Sequence, residues 1–202
     1  KPIFYQAWAG ARGIFGGGIV WVMAAATQIA IEEYLKTSYR PDREYIDGEV
    51  RERNLGERDH SDLLGMIYAY FLDREEQYDL HPFLDWRTQV ASTRFRVPDA
   101  CLVRGAYPSD SILHNPPLII IEVLSPEDSF ADMADRVRDY RNFGVANIWI
   151  VDPVRRKAWA VVDGRNEEAE GLVLRTTDGS IVFPLSEVFA RMDRRRRSDR
   201  SR

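Results

Sequence analysis

The run Leu118-Ile119-Ile120-Ile121-Glu122-Val123-Leu124 decides the fold. It is apolar on both faces of an extended chain. It therefore predicts a central strand covered from two sides, in a sheet with helices packed against it. Glu122 sits inside that run. Burying an unpaired carboxylate is costly, so this group needs a metal ion, a cationic partner or a raised pKa. A structural ion pair with a buried arginine is the plainest of these and stays open at this point.

The segment Phe95-Arg96-Val97-Pro98-Asp99-Ala100-Cys101-Leu102-Val103 reads as another strand with an acid in it. A period of two puts Asp99 on one face with Val97, Cys101 and Val103. Pro98 lacks the N–H that a ladder needs, which predicts a bulge or an edge that re-aims Asp99. Two inward acids on successive strands, Asp99 and Glu122, can converge on one point. Hard divalent cations take oxygen ligands, and Mg²⁺ often sits on one or two carboxylates plus a substrate phosphate. Phosphodiester hydrolysis uses such an ion to activate water and offset developing charge.

Around these strands the pattern alternates. Residues 28–38 predict a short amphipathic helix ending before Pro41. Tyr45-Ile46-Asp47-Gly48-Glu49-Val50 predicts a hairpin about an Asp-Gly turn. Asp59 is expected to cap a long helix over 60–78, with Leu63, Leu64, Ile67, Tyr68 and Phe71 inward. Strands are expected over 83–90, 95–103 and 118–124. A second helix over 130–143 is capped by Asp128 or Ser129, buries Phe130, Met133, Val137 and Tyr140, and closes at Gly144. Strands over 147–151 and 158–162 follow, with weaker ones at 173–176 and 181–183, then a short helix over 185–191. The class is α/β or α+β, a mixed sheet with helices against it.

Composition narrows the function. The chain has 202 residues, 45% hydrophobic and 30% charged, with a net charge of −4, which is the balance of a globular domain. Cys101 is the lone cysteine, and His60, His81 and His114 are scattered. A disulfide scaffold and a thiolate zinc site are excluded, and a reducing, cytoplasmic setting is expected. No apolar run reaches the length of a membrane span, so no membrane partner is expected. Residues 1–26 read as an extension outside the domain, with Met23 as a translation start; a short signal peptide is the second reading of the run over 14–26. The domain is expected over 27–190. Residues 191–202 carry about +5 against about −9 for the rest, and read as a basic disordered tail, a solubilising end or a weak phosphate-binding arm. Lysine is scarce, with only Lys1, Lys36 and Lys157.

Beyond these local readings, the sequence resembles the Uma-type restriction endonuclease family, a branch of the PD-(D/E)XK nuclease superfamily. The residues that carry the resemblance are Glu44-Tyr45-Ile46-Asp47-Gly48-Glu49, His60, Val97-Pro98-Asp99, Glu122-Val123-Leu124-Ser125-Pro126, Tyr140, Gly144-Val145 and Ile148-Trp149-Ile150-Val151-Asp152-Pro153. The resemblance implies a restriction-endonuclease-like core and Mg²⁺- or Mn²⁺-dependent cleavage of DNA. It implies Asp99 and Glu122 as metal ligands with the Val123 carbonyl, and Glu44 as an additional acid. The superfamily lysine would stand two residues after Glu122, where this chain has Leu124. Relatives of this type carry it four residues before the tyrosine, and that position is Arg136. Arginine keeps the charge but is a poor base.

Three functions follow as alternatives: a metal-dependent DNA endonuclease, a nuclease-fold protein that binds DNA or a protein partner without cutting, and an α/β binding domain in which Glu122 is a structural ion pair. Arg136 is expected at the border of the buried helix face, within reach of Glu122; its alternative is a surface position beside Asp132, Asp135 and Asp139. His60 reads as a helix-start polar residue near the cleft, and Glu44 as either a site acid or a solvated turn neighbour. A homodimer fits double-strand cutting, although no motif here bears on it.

Overall fold

In the computed structural model, residues 28–53 and 56–200 are described; the expected extension over 1–26 lies outside them. The chain runs α1 (Ile31–Lys36), β1 (Arg43–Ile46), β2 (Glu49–Glu52), α2 (Arg58–Leu72), α3 (Glu75–Tyr78), β3 (Leu80–Leu84), β4 (Thr88–Ala91), β5 (Arg94–Arg96), β6 (Ala100–Arg104), β7 (Ile119–Val123), α4 (Phe130–Phe143), β8 (Asn147–Asp152), β9 (Lys157–Val162), β10 (Arg165–Glu168), β11 (Val173–Arg175), β12 (Val182–Pro184) and α5 (Leu185–Arg200).

All five residues of β7 are buried. This strand lies inside a six-stranded sheet of order β10-β9-β8-β7-β6-β3. β6 pairs with it antiparallel, Ala100 opposite Ile121 and Cys101 opposite Ile120, and β8 pairs parallel on the other side. Parallel neighbours require a long crossover, and α4 supplies it. The pleat divides the core. Ile119, Ile121, Val123, Trp149 and Val151 pack with α2 and α5 on one face, while Ile120, Ile148 and Ile150 meet Met133, Val137 and Tyr140 of α4 on the other. The mixed sheet flanked by helices expected from the sequence is the observed class.

A second sheet, of order β2-β1-β5-β4, stands beside the first. Its hairpin closes through Asp47 (φ 51°) and Gly48 (φ 100°), the left-handed pair that a two-residue turn demands. Tyr34, Tyr45 and Phe95 form its small core. The expected strand over 95–103 is therefore two strands in two sheets, separated at Val97-Pro98-Asp99 where proline cannot continue a ladder. The expected strand over 83–90 likewise divides into β3 and β4, with Asp85 left-handed between them (φ 49°).

The second helix begins and ends where expected. The Ser129 hydroxyl accepts from the Asp132 amide at 3.0 Å and Gly144 closes the helix at φ 103°. Phe130, expected inward, is 85% exposed; the capping turn it belongs to lies in solvent. The helix expected over 60–78 is α2 and α3, broken after Leu72. The helix starts earlier than expected, so Glu57 is at its N-cap without a side-chain hydrogen bond, and Asp59 falls in the first turn, where it pairs with Arg196. The segment from 191, expected to be disordered, continues α5. Met192 is buried, and Arg195 and Arg196 pair with Asp62 and Asp59 of α2. Tertiary anchors thus extend a helix that its own repelling charges disfavour. β10 has four exposed residues and no apolar pattern by which to read it.

Truncating Ile121, fully buried against α2 and α5, is expected to cost about 2–5 kcal/mol in urea unfolding. Phe130→Ala is expected to change stability by less than about 0.5 kcal/mol.

Candidate active site

The break between β5 and β6 delivers the first acid. Extending the β6–β7 register by one residue from Ala100 and Ile121 sets Asp99 opposite Glu122. Asp99 itself is a bend at the end of that pairing, and the two acids meet different elements: Asp99 is reached from the β2–α2 segment and α2, Glu122 from α4. Asp99 Oδ2 accepts the Val123 amide at 2.8 Å and faces His60 Nε2 at 3.2 Å. Its Oδ1 accepts Arg53 Nη2 at 2.5 Å, and the other arm of Arg53 donates to Asp85 Oδ1 at 2.6 Å. Burial alone would raise the Asp99 pKa. The His60 hydrogen bond, the Arg53 charge and the Val123 amide outweigh it and hold the carboxyl below its ordinary value.

Glu122 shows the opposite balance. Burial pushes its pKa up to about 7, and the Asp99 charge adds to the rise, while Arg136 and the Tyr140 hydroxyl oppose it. Tyr140 donates to Glu122 Oε1 at 2.6 Å and Arg136 Nη1 donates to Oε2 at 3.3 Å. Two neighbouring acids thus have pKa values driven apart, one lowered and one raised to about 7.

Glu44 projects from β1 into the same charged layer. It accepts Arg96 Nη1 at 2.6 Å, and Arg136 Nε lies 3.7 Å from its other oxygen. Arg96 Nε donates to Asp139 Oδ2 at 2.8 Å, and Arg94 Nη1 donates to Asp139 Oδ1 at 2.9 Å. The result is a line of alternating charge, Arg94, Asp139, Arg96, Glu44, Arg136 and Glu122, reaching from the small sheet through α4 to β7. Arg136 is not a surface arginine: its side chain is 11% exposed and faces Glu122, Glu44 and Asp128, with Asp132 and Asp135 lining the same recess.

The site opens two ways. A cleft of about 320 Å³ is lined by Asp99, Arg53, His60, Asp85, Asp42 and Ser61, among others. A smaller recess of about 110 Å³ is lined by Glu44, Arg96, Arg136 and Asp128 with residues around them. Glu122 lines neither. Sequence reasoning missed Arg53, which lies between β2 and α2 in a charged stretch without periodicity. It also missed Asp139, which an exposed-face reading of α4 hid. For Arg53 the Asp-Gly hairpin was the available signal, since it returns this stretch toward the sheet.

The sequence pattern of the Uma2 family, described as a putative restriction endonuclease, matches residues 31–189. The chain belongs to this family. Among solved structures, a putative nuclease from Anabaena variabilis superposes with a TM-score of 0.70 at 18% identity, over 80% of this chain and 98% of that one. The fold of this Uma2 member is thus restriction-endonuclease-like. The cryo-EM complex of DrdV with DNA aligns at a TM-score of 0.38 and 16% identity, over 55% of this chain and 10% of that one. No curated protein matches the chain.

The raised Glu122 pKa makes stability depend on pH. Between the ordinary carboxylate value of 4.5 and about 7, the folded state holds a proton that the unfolded chain has released. Stability therefore falls as pH rises through that window. The raised His60 value acts in the same direction at its upper end. Urea midpoints measured from pH 4.5 to 7.5 are expected to fall for the parent and to fall less for Glu122→Gln.

Proposed function

We propose that this Uma2 protein is a Mg²⁺- or Mn²⁺-dependent endonuclease that hydrolyses phosphodiester bonds in DNA. The observation that carries the reading is the nearness of Asp99 and Glu122, two buried acids at the head of β6 and within β7, close enough that the Asp99 charge acts on Glu122, with a polar cleft beside Asp99. Among the described residues there is no group of three or more His, Cys, Asp or Glu side chains placed to hold a metal ion. Two hard carboxylates nevertheless suit Mg²⁺, which keeps several waters and takes its remaining oxygens from substrate phosphate. Asp99 and Glu122 would hold the ion with the Val123 carbonyl. Bound there, it would lower the pKa of a water and offset charge on the phosphate.

The chain's own residues have distinct tasks. Arg53 and His60 line the cleft and are placed to meet a phosphodiester, with Arg53 as a donor to its oxygens and His60 as a hydrogen-bonding group beside Asp99. Tyr140 and Arg136 grip the two Glu122 oxygens, so the carboxylate keeps one orientation. Glu44, held by Arg96, supports Arg136 from behind. Arg136 stands where the relatives carry lysine; it keeps the positive charge yet cannot serve as a base.

A second reading, binding of DNA or a protein partner without cutting, is favoured by the same arginines. Arg53 and Arg136 each occupy an oxygen that a metal ion would need, and neither can lose its proton.

Supercoiled plasmid incubated with Mg²⁺ or Mn²⁺ separates the two. Under the nuclease reading, nicking requires the metal and disappears in Asp99→Ala. Arg136→Met is expected to lose about 10²–10³ in rate, and Arg136→Lys to retain or raise it. Retardation of DNA without nicking selects the second reading. Arg136→Met cutting as fast as the parent would remove Arg136 from the machinery.

A further inference from the structure

The charge on α5 is not used by the cleft. Its apolar side, Val188, Phe189 and Met192, is buried in the main core. Arg191, Arg194 and Arg195 are exposed, and their spacing of three and four places them along one flank of the helix. That flank is fastened to α2 through one of its members. Arg195 pairs with Asp62 at 2.8 Å and Arg196 with Asp59 at 2.5 Å. Those two aspartates share a side of α2, and His60 and Ser61, which line the cleft with Asp99, are on another. Arg58 is exposed at the start of the same helix.

We propose that the Arg191, Arg194 and Arg195 flank of α5 binds the phosphate backbone of duplex DNA, across α2 from the Asp99 cleft. This rests on the nuclease reading for its partner. Charge complementarity carries the argument. Residues 191–202 hold about +5 on a chain whose remainder holds about −9, so a polyanion is drawn to this end and repelled elsewhere. Phosphate contacts of this kind position a duplex without reading its sequence. A lipid surface fits less well, because a membrane-lying helix needs an exposed apolar face and α5 spends its own on the core.

The test is the salt dependence of binding of a fluorescein-labelled duplex, followed by anisotropy in EDTA so that no strand is cut. Arg191→Gln/Arg194→Gln is expected to weaken binding at low salt and to reduce the slope of log K against log salt by about 1.8, about 0.9 per phosphate contact. Thermal midpoints should match the parent, since neither side chain is buried. An unchanged slope, or a parent that does not bind duplex at low salt, overturns the proposal. So does stronger, double-variant-sensitive binding to phosphatidylserine vesicles than to duplex. Loss of the slope effect with metal-dependent nicking intact refutes the arginine flank alone. The expected slope effect without nicking refutes the nuclease reading alone.

Discussion

A carboxylate inside a strand covered on both faces is the constraint on which the rest of this structure depends. Glu122 cannot be hydrated, so its two oxygens must find donors within the fold, and α4 brings both, Tyr140 and Arg136. Arg136 is then itself a buried cation and needs Glu44 and Asp128. Glu44 needs Arg96, and Arg96 needs Asp139. One buried charge in the large sheet thus accounts for a chain of partners that ends in the small sheet and ties the two sheets through α4. Removing one member of such a buried pair typically costs about 3–5 kcal/mol, because its partner is left uncompensated. The network therefore acts as a unit, and Arg136 serves architecture as well as any chemistry.

Asp99 meets a different environment although it neighbours Glu122. It sits at a break in strand pairing, where the chain leaves one sheet for the other, and it opens to a cleft. Backbone amide, imidazole and guanidinium donors converge on it and favour its ionised form. Glu122, one strand away and sealed from the cleft, is pushed toward its neutral form by burial. Environment alone separates two otherwise similar acids, the pattern by which paired carboxylates take different roles.

Much of this was legible in the residues. The unbroken apolar run of β7 predicted a doubly covered strand, Ser129 and Gly144 marked both ends of α4, and Asp47-Gly48 marked the hairpin. Pro98 announced an interruption, although not that it divides one expected strand between two sheets. Phe130 follows the helical period of the buried face yet lies in solvent, because periodicity does not say how far the sheet beneath extends. The basic segment after residue 190 reads as repelling charge, and only its contacts with Asp59 and Asp62 make it helix.

The sequence by itself determined where burial and charge conflict, at Glu122 and Asp99, because local apolar patterning dictates which positions lose water. It also determined the elements whose signals are local: turns, caps and the period of each face. Tertiary structure decided which cations answer those acids. Arg53, which answers Asp99, lies 46 residues from it along the chain, counted from their numbers, and nothing in that spacing distinguishes it from the other arginines; Arg136 was legible from its place at the border of the buried face of α4. Ion pairs form between groups that packing brings within a few ångströms, and it is the crossing of two sheets and one helix that sets those distances.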